Sequence, residues 1–383
     1  MTKLLEIKDL VTNFYTYEGV IKAINHISLE IEKDKIFGLV GESGCGKSVT
    51  ARSIMQIIQP PGKIEGGEIH FYNDSSDGQK SIDLLKQDDA FMQTLRGSLI
   101  SMIFQEPNLA LNPVLSIGDQ IAESFHFHQK LDMSQTILDE LNHDDCRIFQ
   151  PLRSFYIWCF SKSLEPEKSV LLNLLSKIPI LKNWDHLLNS EARKRSLVIL
   201  EKLGIPNVER IFDSYPHNLS GGMKQRIVIA LALACQPILL IADEATSNLD
   251  VTVQAQILEL LIELKKDTIS SILLITHELG IVAETCDRAG VMYAGNVCEV
   301  ADVSDLFHNP KHPYTKALLN SVPKFTQEGK LETISGSVPD LVTPPSGCRF
   351  HPRCPECFEP CRHDTPELRD IGERHQVACH LYG

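Results

Sequence analysis

No stretch of this sequence approaches the roughly 20 consecutive apolar residues that a membrane-spanning helix needs. Its apolar runs, such as Ile238–Ala242 and Phe155–Phe160, are far shorter. The opening residues, MTKLLEIKDL, hold no apolar core of the kind that leads a secreted chain. A chain that stays on the cytoplasmic side, soluble or peripheral to a membrane, is the expectation. Basic charge is in deficit: 37 Lys plus Arg stand against 50 Asp plus Glu, a formal charge of −13. That balance argues against a protein that lives on nucleic acid. Gly (22) and Pro (20) are too few for collagen or a disordered chain. With 383 residues, 43% of them hydrophobic, two or three globular domains are expected. There is no internal repeat.

Cysteine, by contrast, is plentiful, and its distribution is uneven. Six of the 11 are scattered from Cys45 to Cys298, while Cys348, Cys354, Cys357, Cys361 and Cys379 crowd the end of the chain. Without an export signal, metal binding is a stronger reading of such a cluster than disulfides. From about Val303 onward Pro, His and Cys become frequent, which marks a separate C-terminal module.

Upstream, Leu4–Thr16 and Val20–Glu30 read as paired strands turned at Glu18-Gly19. The short apolar run Ile36–Val40 leads into Gly41-Glu-Ser-Gly-Cys-Gly-Lys47-Ser48, and a helix then runs to about Ile58 before Pro60-Pro61. This is the G-x-x-x-x-G-K-[ST] phosphate loop in its proper strand–loop–helix context. Its glycines let backbone N–H groups turn inward around phosphate oxygens at a helix N-terminus. Lys47 would reach the β/γ-phosphates and Ser48 would ligate Mg²⁺; the competing reading is a plain Gly-rich turn. Strand-like Leu99–Phe104 runs directly into polar Gln105. Residues from about 113 to 225 show helical spacing of apolar positions, clearest at Ile117–Phe127 and Glu191–Leu203. Buried strands Ile238–Ala242 and Ser271–Thr276 flank a helix over Val253–Lys265, the pattern of a parallel α/β sheet.

Asp243 and Glu244 end the first of those strands. Adjacent acids at the end of a buried strand cost desolvation unless a cation or water uses them. Asp243 suits the Mg²⁺ shell and Glu244 the attacking water, although a helix cap with an acidic flank would look similar. His277, after the next strand, could contact the γ-phosphate, and Gln105 could touch Mg²⁺ or water. Leu219-Ser220-Gly221-Gly222-Met-Lys-Gln225 opens a helix and so forms a second anion-binding N-terminus. One nucleotide does not need two such cradles from one monomer. Two chains facing head to tail would complete each other's sites.

Together these residues resemble the ABC-type ATPases. Gly41, Ser43, Gly44, Cys45, Gly46, Lys47, Ser48 and Val49 match Walker A, Gln105 the Q-loop and Leu219–Gln225 the signature. Ile238–Glu244 matches Walker B, Ser247–Asp250 the D-loop and His277 the H-loop. More narrowly, Val40-Gly-Glu-Ser-Gly, Asp250-Val-Thr-Val-Gln-Ala-Gln, Met292-Tyr-Ala-Gly, His312-Pro-Tyr-Thr and Gly347-Cys-Arg-Phe-His-Pro-Arg-Cys-Pro resemble the ATPase subunits of oligopeptide/dipeptide permeases. The resemblance implies an α/β P-loop ATPase, a mixed sheet core with antiparallel β and helical subdomains, followed by a small Cys-rich C-terminal domain. Domain limits at residues 1–305 and 306–383 are expected, the helical subdomain at about 113–225. It also implies ATP and Mg²⁺, a heterodimer with a second ABC ATPase, two integral-membrane permease subunits and an extracytoplasmic solute-binding protein. The chain would sit on the cytoplasmic face of the membrane, without nucleic acid. An aromatic near the N-terminus, Phe14 by its offset from Lys47, would stack on adenine.

Cys348, Cys354, Cys361 and Cys379 resemble positions where some members carry a [4Fe–4S] cluster; zinc and free thiols remain alternatives. Arg349, Arg353 and Arg362 would favour the thiolates. Cys357 is a spare thiol on this pattern. Two departures stand out. Ala245-Thr-Ser-Asn248 replaces the usual Pro-Thr-Thr-Ala after the acid pair, and Asp34 stands where a turn glycine is common. Residues at about 131–189 resemble no part of the family and read as an insertion, either a helical hairpin packed on its own aromatics or a partner contact. The rival function, a soluble ABC ATPase of DNA repair or translation, usually carries long coiled coils or two ATPase halves, which this chain lacks.

Overall fold

The structure, a computed structural model, describes residues 2–75, 78–143, 150–163, 183–247, 249–267, 269–321 and 334–383. They form two compact units. One takes in the chain up to Arg96, Ile100–Gln105 and Ile238–Gly383; the other is Gly97–Leu99 and Glu106–Pro237. Of the expected insertion, residues 144–149 and 164–182 lie outside those described, as does Asn248 of the D-loop.

The first unit is built on two sheets. In one, β1 (Lys3–Thr16) pairs antiparallel with β2 (Gly19–Glu32) and with β4 (Gly62–Ser75), which pairs in turn with β5 (Gly78–Asp83). The other has eight strands: β3 (Ile36–Val40), β6 (Ile100–Ile103), β7 (Leu239–Asp243), β8 (Ser271–Thr276), β9 (Arg288–Tyr293), β10 (Asn296–Asp302), β11 (Arg369–Asp370) and β12 (Gln376–Val377). Their order is β11-β12-β10-β9-β3-β8-β7-β6. From β9 to β6 all pairing is parallel, and from β11 to β9 it is antiparallel. Strands β3, β7 and β8 are buried along their whole length. This is why they read as continuous apolar runs rather than alternating ones. The mixed sheet, antiparallel sheet and helices are those of the expected α/β P-loop fold.

The helix after the phosphate loop ends at Ile54, four residues short of the expected stop. Gln56 takes a left-handed conformation (φ 49°). Its N–H donates to Ser53 O (3.1 Å) and the Ile57 N–H to Arg52 O (2.9 Å), the paired bonds of a left-handed C-terminal cap. Proline was therefore the wrong stop signal. Asp34 also adopts positive φ (61°), and its side chain accepts from Ser270 Oγ at 2.7 Å while its N–H donates to Ser271 Oγ at 2.9 Å. These long-range hydrogen bonds to Ser270 and Ser271 hold Asp in the left-handed conformation where Gly is common.

The compositional break near residue 305 does not coincide with a break in packing. Strand β12 pairs with β10 across it, Glu299 opposite Val377. Leu306, Tyr314 and Phe350 share one buried cluster with Val40, Val282, Val291 and Tyr293. Beneath it lies Glu299, fully buried. It accepts from the Lys311 N–H (2.6 Å) and the His312 N–H (2.9 Å), and its Oε1 lies 2.6 Å from His375 Nε2. These contacts hold the Glu299 pKa below its usual range against the cost of burial.

The second unit is helical. Its helix Ile117–His128 is capped by Ser116, whose Oγ accepts from the Asp119 N–H. Gly118 on that helix lies against the Phe212 ring, where a Cβ would come within 2.2 Å. In the expected insertion, helices Lys130–Asn142 and Gln150–Ser163 pack on each other. Met133, Ile137, Leu141, Tyr156 and Phe160 are buried, and Arg153 caps the first helix through the Leu141 and His143 carbonyls. From the long helix Asn183–Lys202, Arg195 reaches Asp132 of Lys130–Asn142 (2.6 Å) and is steadied by Glu191 one turn earlier on its own helix (2.9 Å). The helical-hairpin reading of the insertion fits these described parts.

His312 supplies a pH prediction. Its Nδ1 accepts from the Tyr314 N–H, and burial lowers the ring to about 4 from 6.5. The unfolded chain thus takes up a proton that the fold refuses. The neutral ring's full contribution is present above pH 6.5 and is lost as pH falls towards 4, at a cost of roughly 3 kcal/mol. Urea midpoints should fall across that window, and His312→Asn, which keeps an acceptor without the titration, should flatten the fall. An unchanged profile in the variant would exclude this cause.

Candidate functional site

Parallel pairing brings four scattered motifs to one sheet edge. Strands β3, β8, β7 and β6 are neighbours, and their C-terminal ends carry Gly41, His277, Asp243 with Glu244, and Gln105 respectively. The carboxyl edge of such a sheet is where ligands bind.

The phosphate loop arches from β3 into helix Lys47–Ile54. At Gly41 (φ +154°) a Cβ would lie 2.2 Å from Met292 O, and at Gly46 (φ +104°) 2.7 Å from Ala23 O. Both positions therefore exclude any side chain. Ser43 and Gly44 are exposed at the loop's crest, while Cys45 is buried beneath it. Gly46 supplies no side-chain cap to the helix, and no acid stands in its first turn. Its leading N–H groups can therefore meet an anion. Lys47, buried at the centre, donates from Nζ to Gly41 O (2.8 Å) and Glu42 O (3.1 Å). Val49, on the helix's first turn, is half-buried.

Ser48 Oγ donates to Asp243 Oδ1 at 2.8 Å. Asp243 is 1% exposed. Burial pushes its pKa up; the Ser48 hydrogen bond opposes this and the Glu244 charge adds to it. A hard cation there would relieve the desolvated carboxylate, and two oxygen donors already converge. Glu244 has φ +46°, a strained backbone for a non-glycine residue. It is held by its N–H to Ile275 O (2.9 Å) and by the Ser247 hydroxyl on its carbonyl (2.9 Å). Its carboxylate accepts from Gln105 Nε2 at 2.6 Å and lies 3.5 Å from His277 Nδ1. Gln105 and His277, distant in sequence, thus meet at the Glu244 carboxylate, Gln105 by a hydrogen bond and His277 by close approach.

Phe14 is half-buried on β1, its ring against Gly62, whereas Tyr17 at the hairpin turn is fully exposed. Thr12 and Ser53 hydroxyls, 3.1 Å apart, fasten β1 to the helix after the phosphate loop. In the helical unit, Ser220 Oγ caps helix Gly221–Leu233 by accepting from the Met223 N–H (3.4 Å). Ser220 and Gly221 are exposed, Gly222 is half-buried, and Gln225 is buried one turn in.

Residues 24–247 match the family model described as ABC transporter. The chain belongs to the ABC transporter family. Residues 298–361 also match the model of the oligopeptide/dipeptide transporter C-terminal region. The chain is 39% identical to the dipeptide transport ATP-binding protein DppD of Bacillus subtilis (strain 168), over all of this chain and 95% of that protein. It is also 39% identical to the oligopeptide transport ATP-binding protein AppD of the same organism, over all of this chain and 98% of that one. Among solved structures, the ADP- and Pi-bound dimer of the ATP-binding cassette MJ0796 is similar, with a TM-score of 0.54 at 22% identity, covering 78% of this chain and 98% of that one. The cassette cbiO1 of Clostridium perfringens gives 0.52 at 23% identity, over 81% and 92%. At that identity the two structures speak for the ABC fold.

One expectation drawn from ABC relatives finds no support. Among the described residues no disulfide forms, and no group of three or more Cys, His, Asp or Glu side chains is arranged to hold a metal ion. Cys348, Cys354, Cys361 and Cys379 thus offer no [4Fe–4S] site in this structure. The arginines beside them face elsewhere: Arg349 donates to the Lys22 and Ala294 carbonyls, and Arg353 to Glu42. Burial pushes Cys348 up to about 11 and Cys354 up to about 12, and neighbouring thiols add to both.

The sequence reading missed Gln254, which donates to Glu278 (2.7 Å) and Thr246 (3.2 Å) and so links the residues after the acid pair to those after His277. It also missed Tyr314 and Arg353, which touch the phosphate loop. The motifs His312-Pro-Tyr-Thr and Phe350-His-Pro-Arg flagged the last two without showing what they contact.

At neutral pH a carboxylate whose folded pKa lies above its unfolded one destabilises the fold. Asp243→Asn, which keeps an acceptor for Ser48, should therefore raise the melting temperature of the nucleotide-free, EDTA-treated protein by about 2 °C. A lower melting temperature would show that the charge is compensated where it stands.

Proposed function

We propose that this chain is the ATP-hydrolysing subunit of a membrane importer for peptides. The observation that carries the reading is the convergence of Lys47, Ser48, Asp243, Glu244, Gln105 and His277 on one sheet edge of an ABC family member. Its full-length relatives are named as dipeptide and oligopeptide transport ATP-binding proteins. The alternative in DNA repair or translation has no support among these relatives.

In this reading the backbone N–H groups of Gly44, Cys45, Gly46, Lys47 and Ser48 bind the β-phosphate region, with Lys47 Nζ turning to the β/γ-phosphates. Ser48, Asp243 and Gln105 would hold Mg²⁺, which would supply positive charge to offset that of the phosphates. Glu244 orients the attacking water and draws its proton, held in place by Gln105 and by its strained backbone. His277 contacts the γ-phosphate. Phe14 is the adenine platform. Ser220, Gly221, Gly222 and Gln225 act in trans, on the nucleotide of a second ATPase subunit, with which the chain forms a heterodimer. That pair works on the cytoplasmic face of the membrane with two permease subunits and an extracytoplasmic solute-binding protein. No helix among the described residues is long and apolar enough to cross a membrane, which accords with a peripheral subunit.

Two measurements test this. Glu244→Gln should bind ATP but hydrolyse it at least about 100-fold more slowly; hydrolysis near the wild-type rate would remove Glu244 from its role. Tagged protein purified from native membranes in mild detergent should bring two polytopic subunits and a second ATPase. Recovery with ribosomes or nucleic acid and no membrane partner would overturn the transport reading.

A further inference from the structure

The chain after residue 306 reaches into the phosphate loop and grips it at Glu42. The Glu42 N–H donates to the Tyr314 hydroxyl at 3.1 Å. The Glu42 carboxylate receives a two-pronged pair from Arg353, Nη1 to Oε2 at 2.8 Å and Nη2 to Oε1 at 3.1 Å. Arg353 is 6% exposed in its side chain, and each of its five N–H groups has an acceptor. Beyond the two on Glu42, Nε donates to Ser335 O (2.9 Å), Nη1 to Tyr293 Oη (3.2 Å) and Nη2 to Ile334 O (3.4 Å). Tyr293, Tyr314 and Phe350 back this arrangement, with ring centroids 4.6 to 5.3 Å apart. One turn earlier Arg349 bonds the carbonyls of Lys22 and Ala294, and the adjacent Gly295 N–H donates to Cys45 O at 2.9 Å.

Glu42 is an odd residue for a loop whose business is phosphate. Its carboxylate is only partly exposed, at 27%. Unpaired, it would repel an incoming polyanion across a short, poorly screened distance. A fixed guanidinium cancels that charge and holds the loop's shape at the same time.

We propose that Arg353, supported by Tyr314, is a positioning residue of the nucleotide site: it neutralises Glu42 and sets the phosphate loop for anion binding, so that the C-terminal region governs nucleotide affinity. This rests on the reading of residues 41–48 as the triphosphate site.

The test is titration of the purified full chain with Mg²⁺ and mant-ATP. Arg353→Ala should weaken binding about tenfold. Adding Glu42→Gln should bring the double variant back to within about threefold of wild type, a rescue that a purely structural role for Arg353 does not predict. Binding by Arg353→Ala within about twofold of wild type, at an unchanged melting temperature, overturns the proposal. So does a double variant as weak as the single one. Should Arg353→Ala fail to fold, Glu42→Gln alone decides: with Arg353 left uncompensated, mant-ATP should bind about threefold tighter and with a steeper salt dependence. No change, or weaker binding, overturns the proposal. Lys47→Ala is the control. If the wild type shows no binding that Lys47→Ala abolishes, the triphosphate reading itself falls and this proposal with it. If that control behaves and only the Arg353 and Glu42 variants do not, the proposal alone fails.

Discussion

Parallel pairing of β3 with β8, and of β8 with β7, is the constraint on which the rest of the molecule depends. Val40 lies opposite Thr276 and Asp243 opposite Ile275, so the strands end level with one another. The phosphate loop, the acid pair and His277, each at the end of one of these strands, are therefore delivered to one place. The strands can lie there only because both faces are buried, which demands apolar residues along their length and leaves polar chemistry to their ends. The unfavourable backbone of Glu244 has the same origin. The first residue past a buried strand can be turned sharply because the strand itself is immovable.

Charge inside this framework is handled in two ways. Two buried charges are fully matched: Glu299 has backbone and imidazole donors, and Arg353, beside the phosphate loop, has an acceptor for every N–H. At the site itself charges are matched incompletely. Lys47 leans on two carbonyls, and Asp243 has a hydroxyl partner while burial raises its pKa. Such under-compensation costs stability, and in the function proposed above a ligand that brings both phosphate and a divalent cation would relieve it. The residues that stiffen the phosphate loop come from beyond residue 306, in the part of the sequence that composition alone sets apart.

Local patterns were legible wherever a single element carries its own signal. The strand, loop and helix around Gly41–Ser48 were readable from their spacing alone, and the structure has that order. Ser271–Thr276 and the cap at Ser220 were likewise readable from a few adjacent residues. The helix end at Ile54 was not, since its stop is a left-handed Gln56 rather than the nearby prolines. The arginines near the cysteines misled for a related reason: adjacency along the chain says nothing about where a long side chain points.

By itself, then, the sequence determined the fold class and the family, because each rests on short-range periodicity or on a fixed spacing. Only the tertiary structure decided which of those residues touch. The bonds from Gln105 to Glu244 and from Arg353 to Glu42 join residues far apart in the chain, and sheet order and packing, not spacing, bring them within hydrogen-bonding distance. It also decided that the C-terminal region packs as one body with the sheet. The physical reason is a two-residue strand, β12, whose pairing with β10 no local pattern announces.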